Sequence, residues 1–366
     1  MLTAEGCRQR RLRLWERLKL SESTDHLVLG DRAHLRYFAN FSVDPISLAA
    51  DFSGLLLVRR DGHATLFHDN RIPSPAIKNA QVDDFQSVPW YDGQSPGRMP
   101  RQLVPYEALT QALGSPRVHD HPADPLGPAV VRTVTEMRRQ KDADELELLR
   151  RCMLAGKAGQ DWAKANFEPG MTELDVYNGV AAAVNRDVGR HVITYGDFAV
   201  CTGPDRRGGP PTDRALKPGD TLILDYSVVL YGYRSDFTNT LVVGGEPTPQ
   251  QRLLFQLCSE AMYAGEQKLK AGASCQDVYD AVRDVFEKAK MADQFPHHAG
   301  HGLGLMHAEA PYIVRHSTET LLANDVITLE PGLYVPGVEG VRIEHNYLIT
   351  EVGFERLSNH GISLDR

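Results

Sequence analysis

The stretch from residue 327 to residue 350, ITLEPGLYVPGVEGVRIEHNYLIT, decides the fold of this chain. Two apolar arms flank a glycine-containing turn, and each arm carries one glutamate, Glu330 or Glu344. Antiparallel pairing of the arms about Gly337 would set the two carboxylates opposite each other, with Cβ atoms about 5 Å apart. Carboxylates this close among apolar strands repel each other and are costly to bury, so the pair predicts a bound cation.

A second pair of acids lies upstream in residues 222–240, LILDYSVVLYGYRSDFTNT. Asp225 ends an apolar strand as Glu330 does, and Asp236 closes the motif GYRSD where Glu344 closes GVRIE. Pairing about Leu230 would set Asp225 opposite Asp236. The two stretches are therefore predicted to be equivalent halves of one domain.

An internal repeat extends beyond the acids. GMTELDVY, residues 170–177, recurs as GASCQDVY, residues 272–279. Each copy has a glycine turn, a hydroxyl N-cap and an acid three positions later, which together open a helix. One such match can arise by chance. Together with the matches of Asp225 to Glu330 and of Asp236 to Glu344, it makes three in the same order, which argues against chance. The repeat predicts an α+β domain with an internal pseudo-two-fold axis.

Between the two acid pairs lies FPHHAGHGLGLMHAEAPY, residues 295–312, which is rich in histidine and glycine. We select His301 as a metal ligand, because an imidazole among carboxylates shifts the preference from magnesium or calcium towards manganese, cobalt, iron or zinc. Four acids and one imidazole can hold two such ions about 3.5 to 4 Å apart, an arrangement that activates water for hydrolysis. The alternative of four protonated or solvated acids fits their apolar strands poorly.

The composition of the chain argues against some classes of function. The chain has 366 residues, a formal net charge of -8 and no lysine or arginine block, which argues against a nucleic acid or an anionic membrane as partner. A peptide or small-molecule substrate is the expectation. The charged N-terminus lacks a signal-peptide core, no apolar run is long enough for a bilayer, and five scattered cysteines suggest reduced thiols. These features predict a cytoplasmic protein.

The chain is predicted to form two domains, residues 1–138 and 139–366. The first domain is predicted to be an α/β unit. It contains a predicted hairpin whose strands, 55–58 and 64–67, flank the turn pair Asp61-Gly62. Pro122, Pro125 and Pro128 are expected to prevent a regular helix near the boundary. A long helix then begins after Asp142 and ends before Pro169-Gly170.

These motifs resemble the creatinase and methionine-aminopeptidase family, which also contains prolidase and Xaa-Pro aminopeptidase. The acid motif at 222–240, the histidine motif at 300–311 and the two-glutamate motif at 327–350 occur in the family order. The resemblance implies a pita-bread catalytic domain behind a creatinase-type N-terminal domain. It also implies a homodimer in which the N-terminal domain of one subunit covers part of the other's active site.

The resemblance further implies a role for each site residue. Asp225 would bind one metal, Asp236 and Glu344 would bridge both, and His301 with Glu330 would complete the second. Glu330 would also carry the proton of the attacking water, and Arg342 would lie near the substrate. The expected cofactors are two divalent ions, manganese or cobalt in first place, with zinc or iron as further candidates.

The chain departs from the family at two histidines that assist catalysis. Seven residues after the metal-binding histidine the family has another histidine, but this chain has Ala308, and we expect His307 to substitute from one position away. A second family histidine, upstream of the first acid, is replaced by Gly208 in a shortened loop. His297 matches a catalytic family histidine four residues before the ligand. His316 is assigned to substrate binding, while the position of His191 stays open.

Three functions are compatible with these patterns. The first is a metal-dependent peptidase of the aminopeptidase P or prolidase type that cleaves a bond to proline. The second is a non-peptidase member of the fold that keeps both metals and acts on a small polar C–N substrate, which the missing histidines favour. The third, a catalytically inactive binding module, is disfavoured because the metal ligands are intact.

Overall fold

The computed structural model describes residues 1–52, 54–97, 99–115, 117–337 and 339–365, and the chain divides into two compact units, Met1–Arg138 and Arg139–Arg366. The first unit contains a four-stranded sheet in the order β1-β2-β3-β4, in which only the β3–β4 pair is parallel among the described strands. Its strands are β1 His26–Leu29, β2 Gly54–Arg59, β3 Ala64–Asp69 and β4 Asp84–Val88. Its helices are α1 Ala4–Leu18, α2 Arg32–Ala39, α3 Ser74–Asn79, α4 Val104–Leu113 and α5 Gly127–Arg139.

The predicted hairpin of the first unit is confirmed. Strands β2 and β3 pair antiparallel, and Gly62 in the connecting turn has a φ of 82°, which glycine adopts without strain. Phe67 of β3 packs with Val28 and Leu109 in a buried apolar cluster. The sheet is therefore held by a core of its own.

The expectation that prolines prevent a helix near the boundary is wrong for Pro128. Helix α5 begins at Gly127, so Pro128 lies in its first turn. A first-turn N–H has no partner within a helix, and proline therefore loses no hydrogen bond there. The long helix after Asp142 is confirmed as α6, Ala143–Asn166, which ends before Pro169.

The second unit consists of two helix pairs and the strands that follow each pair. The first half contains α6, α7 Glu173–Val188, β5 Ile193–Cys201, β6 Thr221–Leu230, β7 Tyr233–Arg234 and β8 Phe237–Val242. The second half begins with α8 Pro249–Glu266, α9 Cys275–Lys288, β9 Gly300–Gly302 and β10 Glu309–Ile313. It continues with β11 Val326–Leu329, β12 Gly332–Val335, β13 Glu339–Arg342, β14 His345–Ile349 and β15 Phe354–Arg356. Among the described residues, no helix has both the length and the apolar character needed to cross a membrane.

Matching hydrogen bonds confirm the internal repeat. The Thr172 side chain caps α7 by accepting from the Asp175 N–H, and the Ser274 side chain caps α9 by accepting from the Asp277 N–H. The two capping residues also form equivalent antiparallel bridges, Thr172 with Ala215 and Ser274 with Thr320. In each half, the residue that caps a helix therefore pairs with the segment that leads into the strand of the first acid.

The predicted register of the second acid pair is correct. Strand β11 pairs with β14 up to Leu329 opposite His345, and β12 pairs with β13 from Gly332 opposite Arg342. Between these ladders the same register sets Glu330 opposite Glu344.

The predicted register of the first acid pair is wrong by two residues. Asp225 lies opposite Thr238, because Tyr231 and Gly232 both adopt positive φ angles and form a two-residue turn between Leu230 and Tyr233. Side chains alternate between faces with a period of two, so this shift leaves Asp236 on the face of Asp225.

The glycines of the histidine motif allow close backbone packing. A Cβ at Gly300 would run into the carbonyl oxygen of Thr328, whereas a Cβ at Gly353 would meet no atom within 4 Å. Gly300→Ala should therefore force β9 away from β11 and lower the free energy of unfolding by about 1–3 kcal/mol. Urea denaturation measures this loss, and Gly353→Ala is the matched control. Equal stability of the two variants would contradict the close packing.

Candidate metal centre

The five predicted ligands lie around one cavity of about 290 Å³ in the second unit. Oxygens of Asp225, Asp236 and Glu344 lie within 4.8 Å of one another, and the same limit holds for ligand atoms of His298, His301 and Glu330. The lining also includes His297, His298, His307, Tyr334, Arg342, Arg207 and Ala308.

Three of the four acids lie where the strand ladders are interrupted, and the fourth, Asp225, lies within β6. Asp236 follows the two-residue strand β7, and its backbone groups are bound by the Asn346 side chain instead of a strand. Asn346 Oδ1 accepts from the Asp236 N–H at 3.1 Å, and Asn346 Nδ2 donates to the Asp236 carbonyl. Asn346 is fully buried, so this pair of bonds orients Asp236 firmly towards the cavity.

Two threonines orient the glutamates. Thr238 donates its hydroxyl to Glu344 Oε2 at 2.8 Å, and Thr328 donates to Glu330 Oε1 at 3.0 Å. The Thr328 hydroxyl oxygen also accepts from the His301 N–H at 3.2 Å. Each half of the repeat therefore supplies a hydroxyl that holds one carboxylate by a charge-assisted bond.

The electrostatics of the acids indicate a need for positive charge. Burial raises the pKa of Asp225 to about 7 against the opposing effect of Arg342. Burial, followed by repulsion from Asp236 and the other carboxylates, raises the pKa of Glu344 well above its ordinary value. Glu344 Oε1 is buried, and no described group donates a hydrogen bond to it. These acids become stable anions only beside cations.

His301 has the orientation of a metal ligand. Its Nδ1 donates to the Gly302 carbonyl at 2.9 Å, so in the neutral ring the Nε2 lone pair faces Glu330 Oε1 at 3.4 Å and Asp236 Oδ2 at 3.6 Å. A lone pair facing two carboxylate oxygens is repulsive unless a cation lies between them. Four carboxylates and one such imidazole fit two divalent transition-metal ions.

His307 points into the cavity from the loop before β10. Its Nε2 donates to Asp236 Oδ2 at 2.8 Å, and this hydrogen bond raises the pKa of His307 to about 9. A loop rather than a strand precedes β10, so the one-residue offset from position 308 does not turn the ring away.

His297 also lines the cavity, but its ring is already engaged. Its Nδ1 donates to the His298 carbonyl at 2.8 Å, and its Nε2 lies 3.2 Å from the Tyr334 hydroxyl. Burial lowers the pKa of His297 to about 4, so the ring is neutral near pH 7.

The structure does not bring His316 to the site. His316 is exposed in the turn beyond the end of β10 and is not among the residues that line the cavity. The assignment of His316 to substrate binding therefore has no contact with this cavity to support it and stays a prediction from the sequence. His191 is likewise exposed and does not line the cavity.

Arg342 is held by two acids. Its Nη2 lies 2.7 Å from Asp197 Oδ2 and 2.6 Å from Asp225 Oδ2, and its Nη1 donates to the Tyr334 hydroxyl at 2.8 Å. A Cβ at Gly208 would collide with the Asp197 carboxylate. The space next to position 208, where the family has a histidine, is thus filled by Asp197.

Four residues of this site carry no motif signal of their own. His298 donates to Glu330 Oε1 at 3.2 Å, and this bond, with the neighbouring imidazoles, lowers the pKa of Glu330 although burial alone would raise it. The sequence signal that could have indicated His298 is its position directly after His297. The other three residues, Asp197, Arg207 and Tyr334, reach the site through strand pairing and loop geometry, which the spacing of residues does not reveal.

The fold and the site together define a metal-dependent hydrolase built from two similar halves. The chain belongs to metallopeptidase family M24, whose model matches residues 147–351, more than half of the sequence. This membership confirms the predicted class of enzyme.

Known proteins resemble the chain along most of its length. An uncharacterized peptidase of Staphylococcus aureus strain USA300 is 29% identical over 317 residues, covering 83% of this chain and 87% of that protein. An Xaa-Pro dipeptidase from Bacillus anthracis superposes with a TM-score of 0.78 at 22% identity and covers 99% of both chains. Dipeptidase PepE from Mycobacterium ulcerans superposes with a TM-score of 0.72 at 26% identity, covering 100% of this chain and 98% of its own. The predicted pita-bread fold is confirmed.

Proposed function

We propose that this protein is an Xaa-Pro peptidase, of the aminopeptidase P or prolidase type, that hydrolyses a peptide bond to proline with two divalent metal ions. The observation that carries the proposal is the convergence of four carboxylates and His301 on one cavity. The membership in family M24 and the likeness to an Xaa-Pro dipeptidase support it.

In this proposal Asp225 binds one ion, Asp236 and Glu344 bridge both, and His301 with Glu330 complete the second. Asp236 is suited to bridging, because it shares one close group with Asp225 and Glu344 and another with His301. When bound, such ions supply Lewis acidity and lower the pKa of water. The mixed oxygen and nitrogen ligands favour manganese or cobalt, with zinc or iron as alternatives.

The side chains around the cavity would handle the protons of the reaction. Glu330 has a lowered pKa, stays ionised near pH 7 and would accept the proton of the attacking water. His307 would donate a hydrogen bond from its ring to the substrate oxygen as negative charge develops on it. His297, whose two ring nitrogens are engaged by the His298 carbonyl and the Tyr334 hydroxyl, would act by holding Tyr334 in place at the cavity.

Replacing a bridging acid should remove both ions. Elemental analysis of the wild-type protein should give close to two divalent ions per chain, and Asp236→Asn or Glu344→Gln should lose both, because each ion loses a shared ligand. Asp161→Asn is the matched control, since Asp161 pairs with Lys157 on α6 and does not line the cavity. Loss of a single ion from Asp236→Asn would contradict the bridging role.

His307→Ala should keep both metals and the fold but lower kcat by at least about 10²-fold, because hydrogen-bond and general-acid assistance typically contribute 10²- to 10⁴-fold. His191→Ala is the control, because His191 is exposed and does not line the cavity. Steady-state kinetics at equal metal occupancy measures the effect. An unchanged rate for His307→Ala would leave the substrate contacts to His297 or to the metals alone.

A substrate panel tests the function itself. The metal-loaded protein, with manganese and with cobalt, should hydrolyse Xaa-Pro dipeptides or longer peptides that begin with Xaa-Pro. It should cleave the matching peptides with alanine in place of proline at least about tenfold more slowly, and a chelator should abolish both activities. Turnover of small non-peptide amides without turnover of any Xaa-Pro peptide would instead support the non-peptidase alternative.

The domain roles, assembly and compartment are further parts of the proposal. Residues 1–138 would form the creatinase-type N-terminal domain and residues 139–366 the catalytic domain. The family resemblance and the prevalence of closed two-fold assemblies support a homodimer; a monomer of full activity in light scattering would contradict it. All five cysteines are buried and none of them forms a disulfide, which agrees with a reducing, cytoplasmic environment.

A further inference from the structure

The loop of residues 303–308 connects β9 to β10 and carries His307. His307 and Ala308 line the metal cavity, and the His307 ring contacts Asp236 from an exposed position. The backbone of a loop is not held by a strand ladder. The direction of the His307 ring therefore depends on the groups that support this loop.

Two hydrogen bonds hold the first half of the loop. The Leu303 N–H donates to the Val326 carbonyl at 2.8 Å, and Arg234 Nη2 donates to the Leu305 carbonyl at 2.7 Å. Gly304 lies between these two anchored residues. The contacts of Gly304 therefore show what the loop packs against.

Gly304 packs against a buried ion pair. Lys141 Nζ lies 3.3 Å from Glu309 Oε1, and both residues are buried. A Cβ at Gly304 would collide with Glu309 Oε1 and would lie 3.1 Å from Lys141 Cε. The loop backbone is thus in direct contact with the two charged side chains.

Backbone hydrogen bonds fix both partners of the ion pair. Glu309 is the first residue of β10 and pairs with Gly302 of β9. Lys141 lies 168 positions earlier in the chain, and its N–H donates to the Asn324 carbonyl at 2.9 Å. The ion pair therefore joins the loop to a distant segment of the second unit.

The energetics of such a pair favour a role in geometry over a role in stability. Burying two charges costs a desolvation free energy that their attraction barely offsets, and an apolar pair of similar volume often stabilises a protein as much or more. A charged pair, however, fits few arrangements, because each buried charge must meet its partner. The Lys141–Glu309 pair is thus suited to holding the loop in one position.

We propose that the Lys141–Glu309 ion pair is a positioning device that holds residues 303–308 so that His307 faces Asp236 and the metal cavity. Its effect on catalysis rests on the proposed peptidase function, in which His307 contacts the substrate. A displacement of about 1 Å can cost an enzyme about 10²-fold in rate, so a loosened loop would lower kcat. The rival is an ion pair that only stabilises the fold.

The test uses Lys141→Met and Glu309→Gln, with Arg139→Met as the matched control. Arg139 also pairs with a buried acid, Asp325, at 2.7 Å, but it contacts Asp325 and the Thr320 carbonyl, outside the loop. Glu309→Gln removes a charge with almost no change of shape. It carries the test if Lys141→Met does not fold.

Hydrogen exchange measures the holding of the loop without any use of activity. The Leu303 N–H should exchange at least about tenfold faster in Lys141→Met and Glu309→Gln than in wild type, because local opening breaks its bond to Val326. Arg139→Met should leave this rate within about twofold of wild type. The amides of α7 are the internal reference, since a general loss of stability would speed their exchange as well.

Steady-state kinetics at equal metal occupancy, on the Xaa-Pro peptide that the wild type cleaves fastest, measures the effect on catalysis. Lys141→Met and Glu309→Gln should lower kcat by roughly 10- to 10²-fold. In a His307→Ala background the same changes should alter kcat by less than about threefold, because a residue that acts through His307 has nothing left to position. Arg139→Met should keep kcat within about twofold of its parent in both backgrounds.

Unchanged exchange at Leu303 in both variants would overturn the proposal, and so would equal losses of kcat with and without His307. A wild type that cleaves no Xaa-Pro peptide would overturn the peptidase function. The exchange rate at Leu303 would then still decide whether the ion pair holds the loop.

Discussion

Mutual repulsion of four buried carboxylates is the constraint on which the rest of this structure depends. Asp225, Asp236, Glu330 and Glu344 converge on one cavity, and burial raises the pKa of Asp225 and Glu344. Such a cluster is tolerable only if cations neutralise it and if the surrounding backbone holds each acid in place. The two similar halves meet the second need, because each half contributes two acids and side chains that orient them.

The strand interruptions show how the fold holds the acids. A continuous ladder would bind the backbone of residue 236 to a neighbouring strand, but here Asn346 satisfies both its N–H and its carbonyl. Thr238 of the first half and Thr328 of the second half then fix the carboxylates of Glu344 and Glu330. Polar side chains thus form the hydrogen bonds to the backbone that a continuous strand ladder would have formed. Few buried polar groups are therefore left without a partner.

The two positions at which the motifs depart from the family pattern, 208 and 308, have well-defined surroundings in this structure. Asp197 occupies the space beside Gly208 and pairs with Arg342, so a histidine at position 208 could not be restored without moving Asp197. His307 reaches Asp236 from a loop, although its number is one short of the family position. The departures from the family pattern thus lie beside a cavity at which all five candidate ligands are present.

The sequence alone determined the candidate ligands that meet at one cavity, the repeat and the pairing of Glu330 with Glu344, because these follow from local spacing and from the alternation of side chains along a strand. It could not determine the pairing of Asp225, since that register depends on the positive φ angle of Tyr231, which no residue preference at this position predicts. Contacts such as Asp197 with Arg342 join residues far apart in the chain, and only tertiary packing decides which distant side chains meet. The position of His316 outside the cavity lining has the same cause, because the turn beyond β10 directs it to solvent and not to the cavity.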